Sequence, residues 1–349
     1  MNDKKGRGCG CPGGRPGARP HPAPGEGTTM ENLQAEIPRA GERRRLGLAK
    51  GAGLYLGRYW QLYAMLALPM LYFIVFKYGP MYGVTIAFKD FNLFQGISKS
   101  PWIGLETFRS IFKMDSFYLA LRNTFMLNFL DLVFSFPAPI LLAVMLNELR
   151  GAAFKKISQT ILYLPHFISW VIIGGIVYQV FATNTGMVNL FLERFGLGPF
   201  PFLSDKYYWL FTYLGTGIWQ SAGWGTIIYL AAMTAINKEL YEAAEVDGAG
   251  RLARIWHITL PGIRSTIVVL LVLKLGEMVQ IGFERPFVIG NVTVSEFSEV
   301  LSTFVYKMGM ETGEYSVATA VGFFQAVVGL VFILTSNYIS KKTTDEGII

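Results

Sequence analysis

The stretch KELYEAAEVDGAGRLARIWHITLP occupies residues 238–261 and decides the fold. Its first part, residues 238–246, contains good helix formers and no helix breaker, which predicts a helix. Gly248 can adopt a positive φ and end that helix, and residues 251–257 can form a second short helix. The stretch therefore predicts a helix, a turn and a helix on one face of the protein, with its acidic side chains available to a partner.

The composition on both sides of this stretch is that of a membrane protein. Of the 349 residues, 52% are hydrophobic and 16% are charged, whereas soluble domains carry about 25% charged residues. The mean hydropathy is +0.38. The high aromatic content, 15%, argues against a disordered chain. We therefore expect an all-α, polytopic bundle of transmembrane helices.

Six apolar segments are candidates to cross a bilayer, because a spanning helix needs about 20 mostly apolar residues. The fifth segment is interrupted by two charged residues, and the first contains a proline. The predicted spans are about 59–76, 118–146, 157–181, 207–236, 265–283 and 315–340.

The distribution of positive charge predicts the orientation. If the N-terminus is cytoplasmic, 20 of the 31 Lys and Arg residues lie on the cytoplasmic side and 9 on the outer side. Cytoplasmic loops of membrane proteins are enriched in Lys and Arg. Both termini are therefore expected to be cytoplasmic, and the net charge of +7 is a topology signal that gives no support to nucleic-acid binding.

The chain is expected to have one folded domain between two tails. Residues 1–50 are rich in Gly, Pro and Arg and cannot bury enough apolar area to fold, so we expect a disordered cytoplasmic tail. The transmembrane domain is expected at 51–342, with its main cytoplasmic loop at about 237–262 and a second cytoplasmic tail at 343–349. The two cysteines, Cys9 and Cys11, lie in the first tail and lack the four-ligand pattern of a structural zinc site.

Polar side chains inside the predicted spans are candidates to line a transport pathway, because ionisable groups in a membrane are costly unless they are satisfied. Lys274 and Glu277 are three residues apart and can neutralise each other while they offer donors and acceptors to a polar ligand. Gln280 follows one turn later, Gln220 can donate and accept, and the indole of Trp224 can stack on a sugar ring. The alternative is that the charged pair is structural and bridges neighbouring spans.

The opening stretch resembles the EAA---G---------I-LP signature of the permease subunits of binding-protein-dependent ABC importers. Asp247 and Ala249, which flank the signature glycine, look like the carbohydrate branch of that family, related to the maltose permease membrane subunits. Trp224 and the 274–280 stretch fall near the positions that line the ligand site of such permeases. The matching signature positions are Glu242, Ala243, Ala244, Gly248, Ile258, Leu260 and Pro261.

The resemblance implies a type I ABC importer permease (MetI-like) fold with six transmembrane helices, and the import of a sugar or oligosaccharide. The implied partners are a cytoplasmic ATPase dimer, a second permease subunit, an extracytoplasmic solute-binding protein and the lipid of the bacterial cytoplasmic membrane. The chain lacks the G-x-x-x-x-G-K-[ST] loop that cradles phosphates. It is therefore expected to bind no cofactor and catalyse nothing, while the ATPase uses ATP and Mg²⁺. The implied ATPase-coupling residues are the signature positions together with Asp247 and Ala249.

Three alternatives remain at this point. The same architecture could import a non-sugar solute. A proton-coupled secondary transporter could use Lys274, Glu277 and Asp131 as a relay, although the sequence shows no internal repeat of the kind common in that class. An intramembrane enzyme would need a nucleophile or a metal cluster in the spans, and none is visible. The partner of Asp131, deep in the second span, is not apparent.

Overall fold

The computed structural model of the protein describes residues 59–149 and 151–344. They fall into two compact units, one ending at Ile74 and the other beginning at Val75. The predicted tail at 1–50 lies outside the described residues, as does most of the predicted tail at 343–349. Every secondary-structure element in the described ranges is a helix. The only strand-like pairing there is one isolated β-bridge between Lys89 and Trp102.

The described part of the first unit contains one helix, α1 (Trp60–Phe73). A π-helical turn (Ile74–Tyr78), a short α-helical turn (Gly79–Met81) and a 3-10 helix (Tyr82–Phe88) follow α1 along the chain. Shorter helical turns at Gly96–Lys99, Val292–Val294 and Ser295–Ser298 connect some of the helices of the second unit. The longer helices of the second unit are α2 (Glu106–Ile111), α3 (Asp115–Asn147), α4 (Ala152–Phe167), α5 (Trp170–Phe181), α6 (Met187–Glu193), α7 (Lys206–Thr234), α8 (Lys238–Val246), α9 (Arg251–Gly262), α10 (Arg264–Gly276), α11 (Glu284–Ile289), α12 (Leu301–Tyr306) and α13 (Tyr315–Thr344).

Three helical stretches among the described residues are long and apolar enough to cross a bilayer, namely Trp60–Phe88, Asp115–Asn147 and Tyr315–Lys342. Two bent pairs of helices, α4 with α5 and α9 with α10, raise this number to five if each pair is one span. Helix α7 is not among these five. It has 29 residues, which makes it about 44 Å long. Its buried face contains three threonines, which lower the hydropathy of the helix.

The span predicted at 157–181 is divided between two helices. Helices α4 and α5 meet at 102°, and the last turn of α4 is a 3-10 turn that contains Pro165. Ser169 then begins α5 as its N-cap, because its side chain accepts a hydrogen bond from the backbone N–H of Ile172. Proline and a good N-cap placed four residues apart favour a new helix over continuation of the old one.

The span predicted at 265–283 is helical only in its first part. Helix α10 ends at Gly276 and α11 begins at Glu284, so residues 277–283 form an unwound segment. Side chains of other helices donate hydrogen bonds to its carbonyl groups. Asn128 Nδ2 donates to the Met278 carbonyl at 2.8 Å, and Gln325 Nε2 donates to the Val279 carbonyl at 3.3 Å. Unwound backbone inside an apolar region requires such partners.

Helix α7 is the central helix of the second unit. Its buried Trp209 and Tyr213 pack with Leu127 and Ile289 in one core cluster, and its C-terminal half packs against the second half of α3. Two glycines permit close approach along this helix. A Cβ at Gly223 would overlap the backbone carbonyl of Leu162 in α4, and one at Gly225 would press on Pro139 in α3. The segment predicted at 207–236 is helical over residues 207–234.

We expect Gly223→Ala to destabilise the protein by about 1–3 kcal/mol, because the added methyl group forces α7 away from the backbone of α4. Gly215→Ala in the same helix is the matched control, since a Cβ there meets nothing within 4 Å. Thermal unfolding of the detergent-solubilised proteins, followed by tryptophan fluorescence, measures the difference. Equal unfolding temperatures for the two variants would contradict the close contact.

Candidate functional site

A cavity of about 1000 Å³ lies between α3, α5, α7, α10 and the unwound segment. Apolar side chains such as Pro139, Ile228 and Leu270 form much of its wall. The wall also contains a group of polar and charged side chains, which is unusual in a bundle of such apolar helices. The polar and charged wall residues are Asn128, Asp131, Ser135, Gln220, Ser221, Lys274, Glu277, Gln280, Glu284 and Arg285.

An ion pair between Asp131 and Arg285 occupies one wall of the cavity. Nη1 of Arg285 donates to Oδ2 of Asp131 at 2.9 Å, and Nη2 donates to Oδ1 at 3.3 Å. Nη2 also donates to the Tyr213 carbonyl at 2.7 Å, and Ser135 Oγ donates to Asp131 Oδ1 at 2.9 Å. The two charged side chains are only 14% and 9% exposed. A two-point pair of this kind is both strong and geometrically specific.

The surroundings of Arg285 are shaped to hold its guanidinium group. The guanidinium carbon lies 3.6 Å from the centre of the Tyr213 ring and 5.8 Å from that of Trp170, within the range of cation–π attraction. Gly217 leaves the necessary space, because a Cβ there would overlap the guanidinium group. Sequence reasoning missed Arg285, since it lies just beyond the fifth predicted span at 265–283. The unpaired Asp131 was the one signal that a buried cation was needed.

Four of the five predicted pathway residues line the cavity, namely Gln220, Lys274, Glu277 and Gln280. Lys274 Nζ lies 3.6 Å from Glu277 Oε2, with the two side chains 36% and 61% exposed. Gln220 Nε2 donates to the His166 carbonyl at 3.4 Å. The side chain of Gln280 makes no hydrogen bond within the described part of the chain, so its amide is free to bind a ligand.

Trp224 lies on the same face of α7 as Gln220 and Ser221, but its ring does not line the cavity. The indole stacks on the ring of His166, with 4.8 Å between ring centres and 4° between planes. Phe167 contacts it edge-on at 5.6 Å. The indole therefore packs against the bend between α4 and α5.

The loop at 238–261 folds as a helix, a turn and a helix, as predicted. Helix α8 covers the predicted residues Lys238–Val246, and Gly248 has a φ of +76°. The N–H of Gly248 donates to the Glu245 carbonyl and that of Ala249 to the Ala244 carbonyl, which is the Schellman pattern of helix termination. The second helix, α9, is longer than predicted and runs to Gly262, so that Pro261 lies within it and α10 follows at 61°.

Side-chain contacts hold α8 and α9 together and leave one surface open. The hydroxyls of Tyr241 and Thr259 are 2.9 Å apart, and Arg254 Nη1 lies 3.3 Å from Glu245 Oε2. Among the predicted coupling residues, six are exposed or partly exposed in α8 and the turn, and three in α9. Those in α8 and the turn are Glu242, Ala243, Ala244, Asp247, Gly248 and Ala249, and those in α9 are Ile258, Leu260 and Pro261.

The same loop exposes large apolar side chains beside its carboxylates. Val246 is 88% exposed, Leu252 73% and Trp256 67%. Exposed apolar groups rimmed by charge mark surfaces where proteins associate. Within residues 59–149 and 151–344, no group of three or more His, Cys, Asp or Glu side chains is arranged to hold a metal ion.

Apolar helices around a cavity with polar and charged wall groups, and a structured loop beside them, are typical of a membrane-embedded transport subunit. The family described as binding-protein-dependent transport system inner membrane component matches residues 135–345. The chain belongs to this family. Its similarity to individual relatives extends beyond the matched region.

Two similar proteins come from Bacillus subtilis (strain 168). Protein LplB is 46% identical over 287 residues, which cover 82% of this chain and 90% of LplB. The polygalacturonan/rhamnogalacturonan transport system permease protein YteP is 46% identical, with coverage of 82% and 89%. A chain in the crystal structure of a bacterial alginate ABC transporter, in complex with an alginate pentasaccharide-bound periplasmic protein, is 42% identical. Its TM-score is 0.76, with coverage of 84% of this chain and 98% of that one. The fold is therefore the MetI-like permease fold.

We expect Asp131→Ala to cost about 3–5 kcal/mol of stability, because it leaves the Arg285 charge buried without a partner. The double variant Asp131→Ala, Arg285→Ala should cost less than the sum of the two single variants. Denaturation in mixed detergents measures the free energies for this double-mutant cycle. The pair Glu245–Arg254, in which the Glu245 side chain is 76% exposed, is the control, with an expected coupling below about 1 kcal/mol. Additive effects at Asp131 and Arg285 would contradict the pairing.

Proposed function

We propose that this chain is the membrane-spanning permease subunit of an ABC importer that moves a sugar or oligosaccharide into the cell. The observation that carries the proposal is the cavity, whose amide and charged groups lie inside a shell of apolar helices. Such groups can exchange hydrogen bonds with the hydroxyls of a sugar. The names of two similar proteins, YteP and the alginate transporter, refer to saccharides and support a saccharide as the transported substrate.

The proposed topology has six spans, with both termini in the cytoplasm of a bacterial cell. The three long apolar stretches and the two bent pairs supply five spans. Helix α7 supplies the sixth, because its length of about 44 Å exceeds the thickness of a bilayer core. Its polar groups face inward, with Thr212, Thr216 and Gln220 all buried, so its low hydropathy is compatible with a span.

The loop formed by α8 and α9 is the proposed docking site of a separate ATPase subunit. Its exposed Val246, Leu252 and Trp256 provide apolar contact area, and Glu242 and Asp247 provide charge. ATP and Mg²⁺ are assigned to the ATPase, and this chain is assigned no cofactor. ATP-driven movement of the loop would switch the helices between inward and outward access, as in other two-state transporters.

The remaining proposed partners are a second permease subunit and an extracytoplasmic solute-binding protein. The periplasmic protein in the alginate transporter complex supports the binding protein. A second permease would close the cavity of this chain from the side. The whole complex, not this chain alone, is therefore the unit in which transport is measured.

We expect Gly248→Asp to abolish ATP-driven sugar uptake while the complex still inserts and hydrolyses ATP. The φ of +76° at this position costs a non-glycine residue about 1 kcal/mol or more, so the turn that positions the docking surface is distorted. Uptake and ATPase activity are measured together in proteoliposomes. Gly250→Ala is the control, because Gly250 has a φ of −68° that any residue adopts. Normal uptake by Gly248→Asp would contradict the coupling role.

The same preparation separates the proposal from its alternatives. Uptake driven by a proton gradient in the absence of the ATPase would favour a secondary transporter in which Lys274, Glu277 and Asp131 carry protons. ATP-driven uptake of a non-sugar solute, with no response to any saccharide, would retain the importer and change its cargo. The engagement of Asp131 by Arg285 and Ser135 speaks against a free proton carrier at that position.

A further inference from the structure

Carboxylates outnumber cations in the cavity wall, and the cations are paired. Three carboxylates line the cavity, those of Asp131, Glu277 and Glu284, against two cations, Lys274 and Arg285. Each cation already has a carboxylate partner among the described residues. Glu284 is exposed and has no ion-pair partner within the described residues. Within the described residues, the wall therefore carries one more carboxylate than cation, and both of its cations are paired.

Arg285 is not available to bind an acidic ligand. Its guanidinium group donates to both oxygens of Asp131 and to the Tyr213 carbonyl, and its face is covered by the Tyr213 ring. A ligand carboxylate that captured Arg285 would leave Asp131 buried without a counter-ion. Removal of one partner from a buried pair is strongly unfavourable, so the exchange opposes binding of the acid.

Lys274 is less firmly paired than Arg285, so it is the cation that an acidic ligand could reach more easily. Its pair with Glu277 spans 3.6 Å and is partly exposed, so the two charges are less tightly held. A uronate near Lys274 would nevertheless also lie near the Glu277 carboxylate. Like charges at this range repel, and the repulsion is stronger in a cavity walled by apolar groups than in water.

A neutral hydroxyl group of a ligand is not repelled by these carboxylates. Gln280 and Glu284 are both exposed and line the cavity. Within the described residues, the Gln280 amide makes no hydrogen bond and the Glu284 carboxylate has no ion-pair partner. The two side chains therefore offer donors and acceptors that suit hydroxyls.

We propose that the cavity of this chain selects neutral oligosaccharides and discriminates against uronate oligomers. The inference rests on the proposed sugar-import function and narrows it to a substrate class. It separates this chain from the relatives whose names refer to alginate and polygalacturonan, both of which are polymers of acidic sugars.

The first test uses the complete complex, with its ATPase, second permease and binding protein, in proteoliposomes. The probes are the neutral tetrasaccharides of galactose, xylose, arabinose and glucose, and the acidic tetragalacturonate and tetramannuronate. We expect ATP-driven accumulation of at least one neutral probe, and about tenfold less of either acid. Preferred uptake of an acid overturns the inference and leaves sugar import intact. ATP-driven uptake of no saccharide overturns the import function itself.

The second test removes the influence of the binding protein. The detergent-solubilised membrane complex is titrated with tetragalacturonate and with its fully methyl-esterified form, which has the same size and linkage without the charge. We expect the ester to bind about tenfold more tightly, a difference of one decade in Kd. Equal or tighter binding of the acid, or no binding of the ester, overturns the inference.

Glu277→Gln probes the wall directly, because it frees Lys274 from its partner. We expect this variant to raise the acid-to-ester affinity ratio by about tenfold. Glu193→Gln removes the same charge from an exposed position on α6 that does not line the cavity, and it should leave the ratio unchanged. An unchanged ratio in Glu277→Gln, or an equal rise in both variants, overturns the assignment of selectivity to the cavity wall.

Discussion

The architecture depends on one constraint, which is that the backbone is unwound at 277–283 between two helices of an apolar bundle. Carbonyls that lose their helical partners in such surroundings must find others. Asn128 and Gln325 supply them from α3 and α13, two helices that also pack together through Phe117 and Phe324. Arg285 lies directly after the unwound segment, in the first turn of α11, and lines the cavity.

The position of Arg285 then decides the chemistry of the cavity. Its guanidinium group neutralises Asp131, which lies in the π-helical turn of α3, and packs on Tyr213 in α7 through the space left by Gly217. A cation that is matched in this way is held rigidly and adds no net positive charge to the wall. Among the described residues, three carboxylates and two cations line the cavity, and this difference is the basis of the proposed preference for neutral sugars.

The loop at 238–261 is stabilised by local interactions, so its structure could be predicted more fully than that of the cavity. Its turn is stabilised by hydrogen bonds between residues at most five positions apart, from Gly248 and Ala249 to carbonyls of α8. Interactions of such short range depend on the local order of residues, so the glycine and the flanking helix formers were sufficient. The length of α9 was underestimated, because Pro261 was assigned to the entry of the next helix while its ring fits within the last turn of α9.

The sequence by itself determined the class of the protein, the approximate ranges of the long helices, the turn at Gly248 and four residues of the cavity wall. These follow from composition, from helical periodicity and from local hydrogen bonding. Only the tertiary structure decided the sharp bend after Phe167, the unwinding after Gly276, the turning of Trp224 towards His166 and the pairing of Asp131 with Arg285. The physical reason is distance along the chain, since Asp131 and Arg285 are 154 residues apart and only the packing of α3, α7 and α11 brings them together.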